Sequence, residues 1–136
     1  MTDISENIAD NVAMKHCVLV VEDDAFIALD LEDVLSEAGF VVNGPVGTVA
    51  DALALVEKAA RGDVPIHVAL LDYNLGEETS IPVAHKLEEL GIPFLFLSGQ
   101  VSSVMLGKTK TDPLVLSKPF VPAHLVKTVG GLVVRD

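Results

Sequence analysis

The chain has 136 residues, half of them hydrophobic, which fits a single domain with a buried core. Its 20 acidic and 9 basic residues give a formal net charge of −11, which argues against a nucleic-acid partner because such proteins carry clustered Lys and Arg. No apolar stretch reaches the roughly 20 residues that cross a bilayer, and the N-terminus is unlike a secretory signal. The single cysteine, Cys17, cannot form an internal disulfide, so a reducing compartment is permitted. We therefore expect a cytoplasmic protein with no membrane partner.

The first elements follow a polar N-terminal segment. Residues 1–14 predict a mobile tail, and residues 15–136 predict one domain. The apolar run Cys17–Val21 predicts a buried strand that ends at Glu22, Asp23 and Asp24. Apolar residues at helical spacing then predict an amphipathic helix that stops at Gly39, with Asp24 as its N-cap or as a solvated acid.

The middle of the chain alternates strands and helices. A short strand around residues 40–43 and a Gly-Pro turn lead to a helix that Thr48 caps and that ends at Gly62. The run from His67 predicts a strand ending at Asp72. A loop over residues 73–79, in which Glu77 and Glu78 are expected to be solvated, then leads to a helix that starts near Ser80 and stops at Gly91.

The last third of the chain predicts two further strands. Residues 92–97 end at Ser98-Gly99, and residues 114–116 end at Ser117-Lys118. Residues 99–113 predict only a short or irregular fourth helix. A last helix is predicted over residues 122–129, and the apolar residues 132–134 after it are expected to pack on the domain rather than serve a partner.

Five strands interleaved with helices predict an α/β fold, because parallel strands need crossover connections. We expect a flavodoxin-like, doubly wound, five-stranded parallel sheet of order 2-1-3-4-5. Ligand sites in such sheets lie just outside the carboxyl ends of the strands.

Acids at two strand ends predict a cation site in that crevice. Several close carboxylates repel one another unless a cation lies among them. Mg²⁺ prefers oxygen ligands, so Asp23 and Asp72 are the expected direct ligands. An aspartate also attacks phosphorus, and Lys118 and Ser98 have the chemistry to stabilise a transferred phosphoryl group.

Four stretches in order resemble the receiver domains of two-component response regulators. The resemblance covers about residues 17–130 and rests on Val20-Val21-Glu22-Asp23-Asp24, Leu70-Leu71-Asp72-Tyr73-Asn74-Leu75, Leu97-Ser98-Gly99 and Ser117-Lys118-Pro119-Phe120.

The resemblance implies a role for each of these positions. Asp72 is implied as the phosphoacceptor, and Asp23 and Glu22 as the acids around Mg²⁺, with Glu22 acting through water. Asn74 is implied to contribute its backbone carbonyl to the metal. Ser98 and Lys118 are implied as partners of the phosphoryl group, and Pro119 corresponds to the family's cis-proline position.

The chain departs from the usual receiver pattern at three points. Val115 stands where many receivers carry an aromatic residue that moves with the hydroxyl residue, and the segment between Ser98 and Lys118 is slightly short. The run Ile92-Pro93-Phe94-Leu95-Phe96 resembles an atypical subgroup whose fourth strand reads Pro-Phe-x-Phe-Ala-Thr-Gly. Members of that subgroup are often free-standing domains that work with histidine kinases.

The resulting prediction is a single-domain response regulator. It accepts a phosphoryl group on Asp72 from a sensor histidine kinase or a histidine phosphotransfer protein and signals by contact with a downstream protein. It is not an enzyme beyond phosphotransfer and autodephosphorylation on itself. One alternative is a pseudo-receiver that switches by binding alone, which Val115 and the weak fourth helix favour. Another is a small phosphatase, for which neither a second general acid or base nor a substrate-enclosing cap is evident.

Overall fold

The structure, a computed structural model, describes residues 16–99, 109, 110 and 113–134. The predicted tail, residues 1–14, and nearly all of the predicted irregular fourth helix lie outside these described residues. The elements in chain order are β1 (Cys17–Val21), α1 (Ala25–Glu37), β2 (Val41–Val46), α2 (Val49–Ala60), β3 (Val68–Asp72), β4 (Asn74–Leu75), β5 (Glu78–Thr79), α3 (Ile81–Leu90), β6 (Phe94–Ser98), β7 (Leu114–Ser117) and α4 (Pro122–Val134).

Five of the strands form one parallel sheet of order β2-β1-β3-β6-β7. The short β4 and β5 form a separate antiparallel hairpin. Without that hairpin the order is 2-1-3-4-5, so the predicted flavodoxin-like fold is confirmed.

The core lies on both faces of the sheet because side chains alternate along each strand. On one face Leu71 and Phe96 pack with α2 and α3, and on the other Leu70 and Leu95 pack with α1 and α4. The three central strands are buried along their whole length. Polar groups of the sheet's interior are therefore confined to the strand ends.

Strand β2 is longer than the sequence predicts. It continues through Gly44 and Pro45 to Val46, where a turn is expected. Because β2 is an edge strand, a proline without an N–H group is tolerated there, and the pairing with β1 becomes irregular between Leu19 and Val21. Gly44 has a φ of 95° and no room for a side chain, since a Cβ would lie 2.9 Å from the Val20 carbonyl oxygen.

Helix α4 also extends past its predicted end. Gly130 and Gly131 lie inside it, although each costs about 1 kcal/mol relative to alanine. Leu132 and Val133 are each only 8% exposed and pack in the core beside α1, so their burial offsets that cost. The packing expected for this segment is confirmed for these two side chains, and the side chain of Val134 lies outside the described ones.

Within the described parts of the chain, no helix combines the length and apolar character that a bilayer crossing requires.

Two leucines of α1 test the packing of this core. Leu31 is fully buried, whereas Leu29 is 56% exposed. We expect Leu31→Ala to lower the free energy of unfolding by about 3 kcal/mol because it leaves a cavity against β1 and β3. The matched Leu29→Ala variant should stay within about 0.5 kcal/mol of the parent in urea unfolding. Equal losses in the two variants would contradict this packing.

Candidate cation and phosphoryl site

The sheet register brings the two predicted acids together. Val21 pairs with Leu71 between β1 and β3, so Glu22 and Asp72 are adjacent at the carboxyl end of the sheet. Both residues are buried, with exposed fractions of 3% and 6%. Asp23, the next residue along, is exposed at the mouth of the same crevice.

Backbone hydrogen bonds extend the sheet just past the strand ends. The Glu22 amide donates to the Val46 carbonyl at 2.8 Å, and the Lys118 amide donates to the Ser98 carbonyl at 2.9 Å. These bonds fix the backbone of the site residues on neighbouring strands, so the site is built on rigid elements.

Lys118 is the cation of this crevice. Its Nζ lies 2.8 Å from Glu22 Oε1 and 3.1 Å from Asp72 Oδ2. Burial lowers the pKa of Lys118, but its contacts with the two carboxylates outweigh that effect and leave the pKa above its ordinary value. Lys118 is therefore charged throughout the physiological range. The Lys118–Pro119 peptide bond is cis, as the resemblance implies.

The buried Glu22 carboxylate has a raised pKa. Burial, and next the neighbouring Asp72 carboxylate, raise its pKa to about 7, against the opposing effects of Lys118 and of the Asp24 amide. That amide donates to Glu22 Oε2 at 3.1 Å. One ammonium does not satisfy this group of acids.

Carboxylate oxygens of Glu22, Asp23 and Asp72 all lie within 4.8 Å of one another. Three acids against one ammonium leave an excess of negative charge, and all the offered ligand atoms are oxygens. This donor set fits a hard divalent cation such as Mg²⁺.

The structure places the remaining predicted site residues on the same edge of the sheet. Ser98 is buried at the end of β6, one position past Leu97, the pairing partner of Asp72. Asn74 opens β4, two residues after Asp72, and is exposed. The roles assigned to Ser98 and to the Asn74 carbonyl stay predictions.

Asp24 and Glu78 have capping roles at the starts of α1 and α2. Asp24 Oδ1 accepts from the amides of Phe26 and Ile27, which confirms its N-cap role for α1. Glu78, expected to be merely solvated, accepts from the Val49 amide at 3.1 Å. Neither this contact nor the hairpin that carries it was predicted from the sequence, although Gly76-Glu77 between short strands is a hairpin signal.

Comparisons with known proteins support the fold. No family model matches the chain. The solution structure of SdrG from Sphingomonas melonis Fr1 is 39% identical, covers 89% of this chain and 98% of its own, and superposes with a TM-score of 0.70. A response regulator receiver protein from Sinorhizobium medicae is 25% identical with a TM-score of 0.74, covering 87% of this chain and 94% of its own.

A regulator from Methylorubrum extorquens is also similar in sequence. The phyllosphere-induced regulator PhyR is 26% identical over 114 residues, which are 83% of this chain and 42% of PhyR. The chain thus spans about two fifths of that relative's length.

The five-stranded parallel sheet with acids and a lysine at its strand ends is the fold of receiver domains, which generally act in signalling. The chain belongs to the response-regulator receiver domains.

The raised pKa of Glu22 predicts a pH dependence of stability in the metal-free protein. Folded Glu22 keeps its proton up to about pH 7, whereas its ordinary pKa is 4.5. Since the folded state binds the extra proton, the contribution of Glu22 to the free energy of unfolding falls as pH rises through this window and levels off above it.

Urea unfolding in a chelator at several pH values measures this effect. Glu22→Gln should be more stable relative to the parent at pH 8 than at pH 5, and the exposed-acid control Glu37→Gln should follow the parent. Parallel pH curves for the parent and Glu22→Gln would contradict the prediction, because they would show that the contribution of Glu22 to the free energy of unfolding does not change with pH.

Proposed function

We propose that the protein is a cytoplasmic response regulator whose receiver domain accepts a phosphoryl group on Asp72 from a phosphohistidine donor and signals by protein contact. The observation that carries this proposal is the buried Asp72 carboxylate, which shares one crevice with Glu22, Asp23 and the Lys118 ammonium. The donor would be a sensor histidine kinase or a histidine phosphotransfer protein.

Mg²⁺ would bind through the Asp23 and Asp72 carboxylates, the Asn74 carbonyl and, through water, Glu22. The acid cluster supports this ligand set because its excess negative charge lies on oxygens alone. When bound, the ion neutralises charge on the phosphoryl oxygens.

Asp72 supplies the nucleophile. A carboxylate oxygen forms the new O–P bond while the P–N bond of the donor phosphohistidine breaks, and the electron pair of that bond stays on the imidazole nitrogen. Lys118, whose Nζ lies 3.1 Å from Asp72 Oδ2, pairs with this carboxylate.

Lys118 and Ser98 receive the transferred charge. The Lys118 ammonium, now shared between two carboxylates, would turn to a phosphoryl oxygen, and the Ser98 hydroxyl would donate to another. The Lys118 amide donates a hydrogen bond to the Ser98 carbonyl, so the two residues lie side by side at the ends of adjacent strands, close to the surface that precedes α4. A change there would alter the face that a downstream protein reads.

The intact acids and Lys118 count against the pseudo-receiver alternative, which the sequence favours only through Val115 and the weak fourth-helix pattern.

Intact-mass analysis tests the acceptor directly. Incubation with Mg²⁺ and a small phosphodonor should add one phosphate to the parent, which base treatment removes, and should add none to Asp72→Asn. Asp33→Asn, an exposed acid on α1, serves as the control and should be phosphorylated like the parent. Phosphate on Asp72→Asn, or none on the parent, would overturn the proposed function.

Replacing Lys118 separates metal binding from transfer. Lys118→Met removes a positive charge 3.1 Å from Asp72, so Mg²⁺ should bind at least about threefold more tightly. Phosphoryl loading should slow by at least about tenfold because the transferred charge loses a partner. Calorimetry and loading rates measure the two effects, and the exposed Lys127→Met should change neither. Parallel losses of binding and transfer would contradict the proposed role.

A further inference from the structure

The hairpin directly after Asp72 is a firmly held unit. The Ser80 amide donates to the Tyr73 carbonyl at 2.9 Å and closes its base. Leu75 is buried in the core, and Gly76 makes the tight turn with a φ of 64°. Since Asp72 and the hairpin are consecutive, the hairpin's position is tied to that of the acceptor.

Glu78 connects this hairpin to the start of α2. Its Oε2 accepts from the amide of Val49, the first residue of the helix, at 3.1 Å. Thr48 Oγ1 accepts from the Asp51 amide, so this local cap does not satisfy the Val49 amide. Glu78 accepts from that amide instead. The negative charge also suits a helix N-terminus.

The loop before α2 in turn contacts the backbone of Asp23. Gly47 lies so close that a Cβ there would be 3.3 Å from the Asp23 Cα and 3.7 Å from its Cβ. The Glu22 amide also bonds the Val46 carbonyl just before this glycine. The loop therefore forms the support behind Asp23.

We propose that Glu78 is a positioning residue for the metal-binding acids: by holding the start of α2, it keeps the Gly47 loop against Asp23 and ties that loop to the hairpin that follows Asp72. The proposal rests on the proposed function, since it assumes a Mg²⁺ ion among these acids. A local helix cap would serve α2 equally well, whereas Glu78 lies 29 residues away in sequence and joins the two loops that border the site.

Mg²⁺ titration of the isolated protein by calorimetry tests the proposal. Glu78→Ala should weaken Mg²⁺ affinity by about three- to tenfold because the loop behind Asp23 loses a charge-assisted hydrogen bond. Glu78→Gln keeps an acceptor and should retain affinity close to that of the parent. Glu77→Ala removes the same charge from the exposed hairpin tip and controls for simple electrostatic attraction.

Amide exchange at Val49 provides a second readout. Binding linkage is reciprocal, so Mg²⁺ should increase protection of the Val49 amide in the parent and Glu78→Gln but not in Glu78→Ala. Unchanged affinity in Glu78→Ala, an equal loss in Glu77→Ala, or Mg²⁺-independent exchange at Val49 in the parent would each overturn the proposal. A parent that binds no Mg²⁺ overturns the proposed metal site itself, whereas a parent that binds Mg²⁺ without any Glu78 effect overturns only this inference.

Discussion

The site depends on one ammonium shared by two buried carboxylates. Glu22 and Asp72 are almost inaccessible to water, and burying an unpaired carboxylate is strongly unfavourable. Lys118 contacts both acids, yet its single charge leaves Glu22 with a raised pKa. The fold thus maintains an acidic crevice that is only partly neutralised. In the proposed function, a divalent cation would complete the charge balance, and a transferred phosphoryl group would compete for the same lysine.

The sheet produces this crevice through the same alternation that builds its core. Along β1 and β3, apolar side chains supply both faces, so the first polar residues stand beyond the last paired positions, Val21 and Leu71. Since parallel strands end on the same edge, β1, β3, β6 and β7 each place a candidate site residue there. Folding and function therefore share one constraint: a shift in register that moved Glu22 from Asp72 would also misplace the core.

The sequence predicted most of this architecture because its signals are local and strong. Long apolar runs ending in Asp, Ser or Lys identify the strands and the site, and Thr48 and Gly91 mark helix ends. Three features depend on tertiary contacts instead. Pro45 lies within an edge strand instead of ending it. Helix α4 continues through Gly130 and Gly131 because Leu132 is buried beyond them. Strands of two residues are too short to show an alternating pattern in the sequence. The Glu78 contact was missed for a related reason, since nothing local relates it to Val49.

Two connections of different stiffness join the part of the site around Asp23 to the part around Asp72. Below the acids, β1 and β3 are paired along four residue positions within the buried sheet. Above them, the Gly47 loop and the hairpin are connected through the exposed Glu78 carboxylate and the Val49 amide. A single exposed hydrogen bond contributes about 1 kcal/mol, far less than the ladder below. The upper connection is therefore the weaker of the two, and it is the one that Glu78→Ala would remove while the sheet stays intact.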